Sequence, residues 1–162
     1  MKKNIAIVAG GDQSEVVVSL KSAKGIYSFM DKEKYNVYIV TIIGTEWNLE
    51  VNDAKYPVDK NDFCAVIDGL KIKFDYAYIT IHGTPGEDGK LQGYFELMKI
   101  PYSSCGVLAS ALTYNKFTCN TYLKNFGIPV AKSLRLRSVS DYTDKEIVDA
   151  VGLPCFVKPN DG

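Results

Sequence analysis

The chain opens with a regular alternation of apolar runs and amphipathic stretches. The nearly continuous apolar run from Asn4 to Ala9 is typical of a strand buried on both faces. From about Ser14 to Met30 the apolar positions recur at helical spacing, and a second apolar run, from Tyr35 to Ile43, predicts another strand. Since strand–helix–strand order favours parallel neighbours, we expect an α/β fold, a parallel sheet with helices on both faces.

Shorter elements are predicted further along the chain. The stretch from Gly44 to Asn61 is polar and irregular, apart from a possible hairpin around Trp47 to Val51. Beyond it the pattern predicts strands over residues 64–67, 71–74, 76–81 and 100–102, and helices over residues 91–98, 106–112 and 115–126.

After Gly127 the pattern starts again. Residues 133–136 and 155–158 have a strand-like pattern, and a polar helix is predicted between them, from about Asp144 to Val151. We therefore expect a first domain over residues 1–115 and the beginning of a second over residues 116–162.

Composition narrows the function classes. With 46% hydrophobic residues the chain can pack a core, and 19 basic residues balance 19 acidic ones. A net charge of zero argues against a nonspecific nucleic-acid or membrane binder. Four scattered cysteines and one histidine make a zinc site or a disulfide framework improbable. No leader or membrane span is predicted, so a cytoplasmic protein is expected.

Candidate chemistry concentrates in the loop after the predicted strand at residues 76–81. The loop reads His-Gly-Thr-Pro-Gly-Glu-Asp-Gly from His82 to Gly89, with Leu-Gln-Gly at 91–93. A glycine-rich turn that presents an imidazole and two carboxylates at a strand end is where open α/β sheets place ligands. By residue type alone, an ordinary turn with carboxylates at a helix start and a backbone-bonded histidine has about equal weight.

A second candidate is the loop between the first strand and the first helix. Gly10 and Gly11 precede a predicted helix start, a position that favours an anion. Asp12 and Glu15 have the spacing of a capping box. Glu15 is therefore either a capping residue or a carboxylate available to a substrate ammonium.

Two lysines are candidates in the second half. Lys116 lies at a predicted helix start, where a lysine is usually a solvated surface charge. Lys158 closes an apolar strand run, and a half-buried ammonium requires an anionic partner. That partner is either a nucleotide phosphate or a carboxylate in a structural salt bridge.

The string H-G-x-x-G-E-D-G-x-L-Q-G resembles the signature of the D-alanine–D-alanine ligase family, which belongs to the ATP-grasp ligases. Four segments match that family in order, namely residues 10–20, 82–93, 100–102 with 106–111, and 156–159. The resemblance implies a Rossmann-like pre-ATP-grasp domain over residues 1–115. It also implies the start of a truncated α+β ATP-grasp domain over residues 116–162.

The resemblance also implies a reaction, the ATP-dependent joining of two D-alanines through a D-alanyl phosphate, for peptidoglycan precursors. Glu15 and His82 resemble the residues that orient the first D-alanine, and Val18, Ser19 and Gly83 match its pocket. Lys116 and Lys158 resemble the lysines that contact ATP phosphates. Mg²⁺ is implied, with its ligands expected beyond residue 162 and none in this chain.

Several points stay open at this level. The second substrate is D-alanine, D-lactate or D-serine. The alternatives for the chain are another ATP-grasp carboxylate–amine ligase or a non-catalytic flavodoxin-like binding or dimerisation module. The family resemblance implies a homodimer through the N-terminal domain. We expect the 162-residue chain alone to be inactive and residues 130–162 to be its least stable part.

Overall fold

The computed structural model of the protein describes residues 2–12 and 14–161, which form two compact units that meet in sequence between Ser110 and Ala111. Seven strands and five helices lie in the described part of the chain. They are β1 (Lys3–Gly10), α1 (Val16–Phe29), β2 (Tyr35–Ile43), β3 (Glu46–Val51), β4 (Ala54–Asp59), β5 (Cys64–Ile67), β6 (Leu70–Lys73), β7 (Tyr76–Ile79), α2 (Lys90–Leu97), α3 (Val107–Tyr114), α4 (Lys116–Asn125) and α5 (Asp144–Val151).

One seven-stranded sheet organises the first unit, in the order β6-β5-β4-β3-β2-β1-β7. Strands β2, β1 and β7 are parallel, and all the other pairs are antiparallel. The α/β class is confirmed, and β2, β1 and β7 form the parallel part of the sheet, to which β3–β6 add an antiparallel part.

Tight turns explain the antiparallel part of the sheet. The β3–β4 turn consists of Asn52 and Asp53, and the β5–β6 turn of Asp68 and Gly69. All four have positive φ, the geometry of a two-residue hairpin turn that matches the twist of the strands. The stretch predicted as mostly irregular is therefore largely strand, and the possible hairpin at Trp47 to Val51 is its β3 half.

Helices cover both faces of the sheet, as predicted. Side chains alternate along β1, so that Ile7 packs with Ala23 of α1 while Val8 joins the cluster that contains Phe95 of α2. None of the helices in the described ranges has the length and apolarity that crossing a bilayer requires.

Aromatic packing joins the antiparallel strands to α2. Phe63 is fully buried, and its ring centroid lies 5.0 Å from those of both Phe74 and Phe95. Trp47 and Tyr94 extend the cluster with centroids 5.0 Å apart. This packing fixes α2, and with it the loop that precedes α2.

The second unit, described by itself, contains α4 and α5. Helix α5 matches its predicted bounds and begins with a capping box in which Thr143 and Glu146 bond each other's backbone. None of the described residues of this second unit is buried.

Three strand predictions are wrong in the described residues. Residues 133–136 and 155–158 have no strand structure, and residues 100–102 contribute only a bridge from Tyr102 to Ala77. Phe156 and Val157 are each 91% exposed. A strand needs a neighbour to pair its backbone groups, and an apolar sequence pattern does not supply one.

Candidate functional site

The site lies at the carboxyl ends of two adjacent parallel strands, β1 and β7. Each strand is followed by a segment that leads to a helix, described at residues 11–12 and 14–15 before α1 and at residues 80–89 before α2. In open α/β sheets this edge is the usual ligand position. The topology therefore brings together two loops that are distant in sequence.

Three exposed ionisable side chains meet at this edge. His82 Nδ1 lies 3.9 Å from Glu15 Oε2 and 3.9 Å from Glu87 Oε1. We call this group the Glu15–His82–Glu87 cluster. Carboxylates beside an imidazole offer acceptors for an ammonium and a donor for a carboxylate, the two ends of an amino acid. The structure brings Glu15 and His82 together, and Glu87 is a member that the sequence reasoning did not single out.

Gly10 brings the first loop close to β2. Its φ is +113°, and a Cβ atom there would lie 2.2 Å from the carbonyl oxygen of Ile42. The next amide, of Gly11, donates to that same oxygen at 2.8 Å. A residue without a side chain is therefore required where β1 turns into the loop.

Ser19 holds the loop from behind. Its side chain is fully buried, and its Oγ accepts from the Gly10 amide at 3.0 Å and donates to the Thr80 carbonyl at 2.9 Å. One hydroxyl thus joins the ends of β1 and β7 to α1. Val18, by contrast, is 53% exposed. Of the three residues predicted to match the pocket, Ser19 and Gly83 are buried, and only Val18 presents a side chain to solvent.

Of the two alternatives for Glu15, the capping box with Asp12 does not form. Helix α1 starts at Val16, so Glu15 is its N-cap and its side chain makes no capping hydrogen bond. Asp12 Oδ1 instead accepts from the Gly44 amide at 2.8 Å, and the Asp12 amide donates to the Thr84 carbonyl at 3.0 Å. Asp12 therefore links the loops, and the Glu15 carboxylate stays available. Gln13 lies outside the described residues.

The second loop folds back on itself through its own carboxylates. Glu87 Oε2 accepts from the Gly83 amide at 2.8 Å, and Asp88 Oδ2 accepts from the Thr84 hydroxyl at 2.8 Å. Gly83 has a φ of +71°. These bonds close the turn before α2 begins, so the two carboxylates shape the loop in addition to preceding a helix.

Asp88 gives the loop a pH dependence. Burial raises the pKa of Asp88, but hydrogen bonds from Lys90 and Thr84 outweigh it, so the pKa lies below its ordinary value of 3.8. The unfolded chain then binds the proton more readily. The stabilisation is fully present above about pH 4 and is lost as the pH falls through the native value.

We expect Asp88→Asn to lower the free energy of unfolding by about 1–3 kcal/mol at pH 7, since hydrogen bonds to a charged acceptor are weakened. Urea unfolding at pH 7 and at pH 3 measures the effect, with Glu33→Gln at an exposed position as the control. The difference from the unmodified chain should shrink at pH 3. An equal difference at both pH values would contradict this account.

The two candidate lysines belong to the second unit. Lys116 begins α4, and its amide donates to the Asn160 carbonyl at 3.0 Å, which ties the helix start to the chain just beyond Lys158. The prediction of a half-buried strand lysine is wrong for Lys158, whose side chain is exposed on irregular backbone with Nζ 5.4 Å from the centre of the Phe156 ring.

The described residues contain one group of potential metal ligands, Asp59, Asp62 and Cys64. It lies near β5, at the opposite end of the sheet order from β7, and Lys71 pairs with Asp62. Because that ammonium already pairs with one carboxylate, the group is poorly suited to a cation. The carboxylates of the Glu15–His82–Glu87 cluster do not belong to it.

Comparison with known proteins gives consistent matches. The chain is 62% identical over 163 aligned positions to a D-alanine–D-alanine ligase of Bacteroides fragilis, covering 100% of this chain and 50% of that protein. The structure resembles D-alanyl-alanine synthetase A from Vibrio cholerae, with a TM-score of 0.73, 31% identity and coverage of 86% of this chain and 42% of the other. It also resembles a D-alanine–D-alanine ligase from Bacillus anthracis complexed with ATP, with a TM-score of 0.70, 28% identity and coverage of 99% and 48%.

The chain spans about half the length of the curated relatives it matches. A sequence model of one family, described as "D-ala D-ala ligase N-terminus", matches residues 4–105. Apart from Lys3 at the start of β1, that range contains the strands, the two loops and the Glu15–His82–Glu87 cluster. The chain therefore belongs to the D-ala D-ala ligase N-terminus family.

Proposed function

We propose that this chain is the N-terminal part of an ATP-dependent ligase that joins two D-alanines for peptidoglycan precursor synthesis. The observation that carries the proposal is the Glu15–His82–Glu87 cluster, with its 3.9 Å separations, on a chain of this family. Relatives named D-alanine–D-alanine ligase support the substrate. The second substrate is proposed as D-alanine, with D-lactate and D-serine as the alternatives.

The proposed chemistry starts from an unreactive carboxylate. One carboxylate oxygen of the first D-alanine attacks the γ-phosphorus of ATP, so that ADP leaves and D-alanyl phosphate forms. The amine of the second D-alanine attacks the acyl carbon, loses a proton, and expels inorganic phosphate. Positioning and electrostatic stabilisation supply the catalysis in both steps.

The residues of the first unit are proposed to hold the first D-alanine. Glu15 accepts hydrogen bonds from its ammonium, and His82 donates to its carboxylate. Val18 and the Gly83 backbone border the pocket. Ser19 is proposed to stabilise the loop without facing the substrate, since its buried hydroxyl is bonded to Gly10 and Thr80.

The second unit is proposed to begin the nucleotide site. Lys116 and Lys158 contact ATP phosphates, and Mg²⁺ would offset the phosphate charge through ligands outside this chain. The proposed domains remain residues 1–115 for substrate binding and residues 116–162 for the start of the ATP-grasp domain.

A homodimer and a cytoplasmic location complete the proposal. Val17 and Phe29, at the two ends of α1, are 76% and 92% exposed, so both side chains are accessible to a second copy of the chain. A monomeric mass in light scattering would contradict the dimer.

The test compares two proteins, the full-length protein that contains this chain and the 162-residue chain itself. With ATP and Mg²⁺, the full-length protein should release ADP only when D-alanine is added, and L-alanine serves as the control. The chain alone should release none, because it holds only part of the site. D-alanine-independent release by the full-length protein, or D-alanine-dependent release by the chain alone, would contradict the proposal.

A further inference from the structure

Gln92 is a fully buried amide on α2, just after the loop that carries His82 and Glu87. Its Nε2 donates to the Gly86 carbonyl at 2.6 Å and to the Ser104 hydroxyl at 2.9 Å. The same side chain therefore joins the middle of that loop to a segment beyond the end of α2.

The orientation of this amide is fixed by its partner. A carbonyl oxygen only accepts, so the Gln92 amino group must face Gly86. Gln92 Oε1 then points elsewhere and finds no hydrogen-bond partner among the described residues. A buried unpaired oxygen costs free energy, so any net stabilisation from this amide comes from its two N–H bonds.

Gly86 lies close against the first part of its own loop. A Cβ atom there would lie 2.4 Å from the carbonyl oxygen of Ile81, two residues beyond the end of β7. The amides of Gly86 and Glu87 both donate to the Gly83 carbonyl at 2.8 Å. Gln92 thus holds the turn between His82 and Glu87 at Gly86, the residue next to Glu87.

The segment around Ser104 makes further hydrogen bonds. The Ser104 hydroxyl that accepts from Gln92 lies 3.4 Å from the Cys105 carbonyl, which also accepts from Ser110 at 3.1 Å. The neighbouring Ser103 hydroxyl accepts from the Ile79 amide at 2.9 Å, so this segment is anchored to β7. Gln92 is therefore bonded to a segment whose own hydrogen bonds anchor it to β7.

We propose that Gln92 is a positioning residue, which sets the placement of His82 and Glu87 by holding the Gly86 carbonyl. The effect on the loop follows from this chain's own contacts. The effect on catalysis rests on the proposed ligase function, because there the same loop holds the first D-alanine. In the full-length enzyme, Gln92→Met should raise KM for D-alanine by about tenfold and change kcat less, because the buried hydrogen bond that holds the Gly86 carbonyl is lost.

The loop effect is tested on the 162-residue chain without substrate. Gln92→Met keeps the side-chain volume and removes both N–H donors. Hydrogen exchange at the Gly86 and Glu87 amides should then accelerate about tenfold, while exchange in β1 stays unchanged. His82 is the single histidine of the chain, so its imidazole NMR signals are unambiguous and should shift.

Two further variants keep the test decisive. Ser104→Ala removes only the second acceptor and should accelerate the same two amides by a smaller factor, which serves if Gln92→Met does not fold. Val37→Ala, in the core cluster on the other face of the sheet, lowers stability without touching α2 and should leave the His82 signals in place. Unchanged exchange in Gln92→Met, or the same loop response in Val37→Ala, would overturn the positioning role. Unchanged KM with accelerated exchange would overturn its catalytic consequence, and absence of ligase activity in the unmodified protein would count against the proposed function alone.

Discussion

Gly10→Ala is expected to lower the free energy of unfolding of the first unit by about 3 kcal/mol or more, the sum of steric overpacking and backbone strain. The added Cβ would lie 2.2 Å from the Ile42 carbonyl oxygen, at a φ of +113° that side chains rarely adopt. That oxygen belongs to backbone and already accepts from the Gly11 amide. Relief would require β1 and β2 to separate where their register ends, at Gly10 and Ile42.

Gly25→Ala is the matched control. Gly25 lies inside α1, and a Cβ atom there would meet nothing within 4 Å. Alanine should therefore raise the free energy of unfolding by up to about 1 kcal/mol, because it is the better helix former. Urea unfolding of both variants measures the pair. A Gly10→Ala variant as stable as the unmodified chain would show that β1 and β2 do not meet as described.

Glu15→Gln is expected to reduce kcat/KM for D-alanine by about 100-fold in the full-length protein, which corresponds to about 2.7 kcal/mol of lost transition-state binding. The amide keeps the shape of the carboxylate but removes the charge that the substrate ammonium requires. The effect should appear chiefly as a raised KM for the first D-alanine. Steady-state kinetics at varied D-alanine and saturating ATP measure it.

Urea unfolding distinguishes a loss of substrate binding in Glu15→Gln from a loss of folded protein. Glu15 is exposed and its side chain makes no capping hydrogen bond, so Glu15→Gln should unfold at the same urea concentration as the unmodified protein. Glu33→Gln, also exposed, should change neither quantity. Normal kinetics in Glu15→Gln would remove Glu15 from the substrate site.

Local patterns were sufficient where the structure depends on neighbours in sequence. The continuous apolar runs predicted β1 to within one residue at each end and β2 without error. Helix α5 follows from its own capping box. The turns at Asn52-Asp53 and Asp68-Gly69 carried a readable hairpin signal, which would have predicted the antiparallel strands.

Patterns failed where the outcome depends on a partner. Residues 133–136 and 155–158 have apolar patterns but pair with no strand among the described residues, and Lys158 is exposed and not half-buried. In the site, the glycine-rich strings located His82 and Glu15. The sequence could not show that Asp12 would bond Gly44 in place of capping α1, or that Ser19 would be buried.

The family match bears on the alternatives for the chain. A non-catalytic flavodoxin-like module is disfavoured, because residues 4–105 match a ligase family. The same match disfavours a different ATP-grasp carboxylate–amine ligase. The central claim of the proposed reaction is that ATP activates the carboxylate of the first D-alanine as D-alanyl phosphate.

An oxygen-18 transfer experiment on the full-length protein tests that claim most directly. The first D-alanine is supplied with ¹⁸O in its carboxylate, together with ATP and Mg²⁺, and the released phosphate is analysed by mass spectrometry. Activation through D-alanyl phosphate predicts one ¹⁸O atom in each phosphate, because the attacking carboxylate oxygen leaves with it. Phosphate without ¹⁸O, or dipeptide formed without phosphate release, would contradict the account.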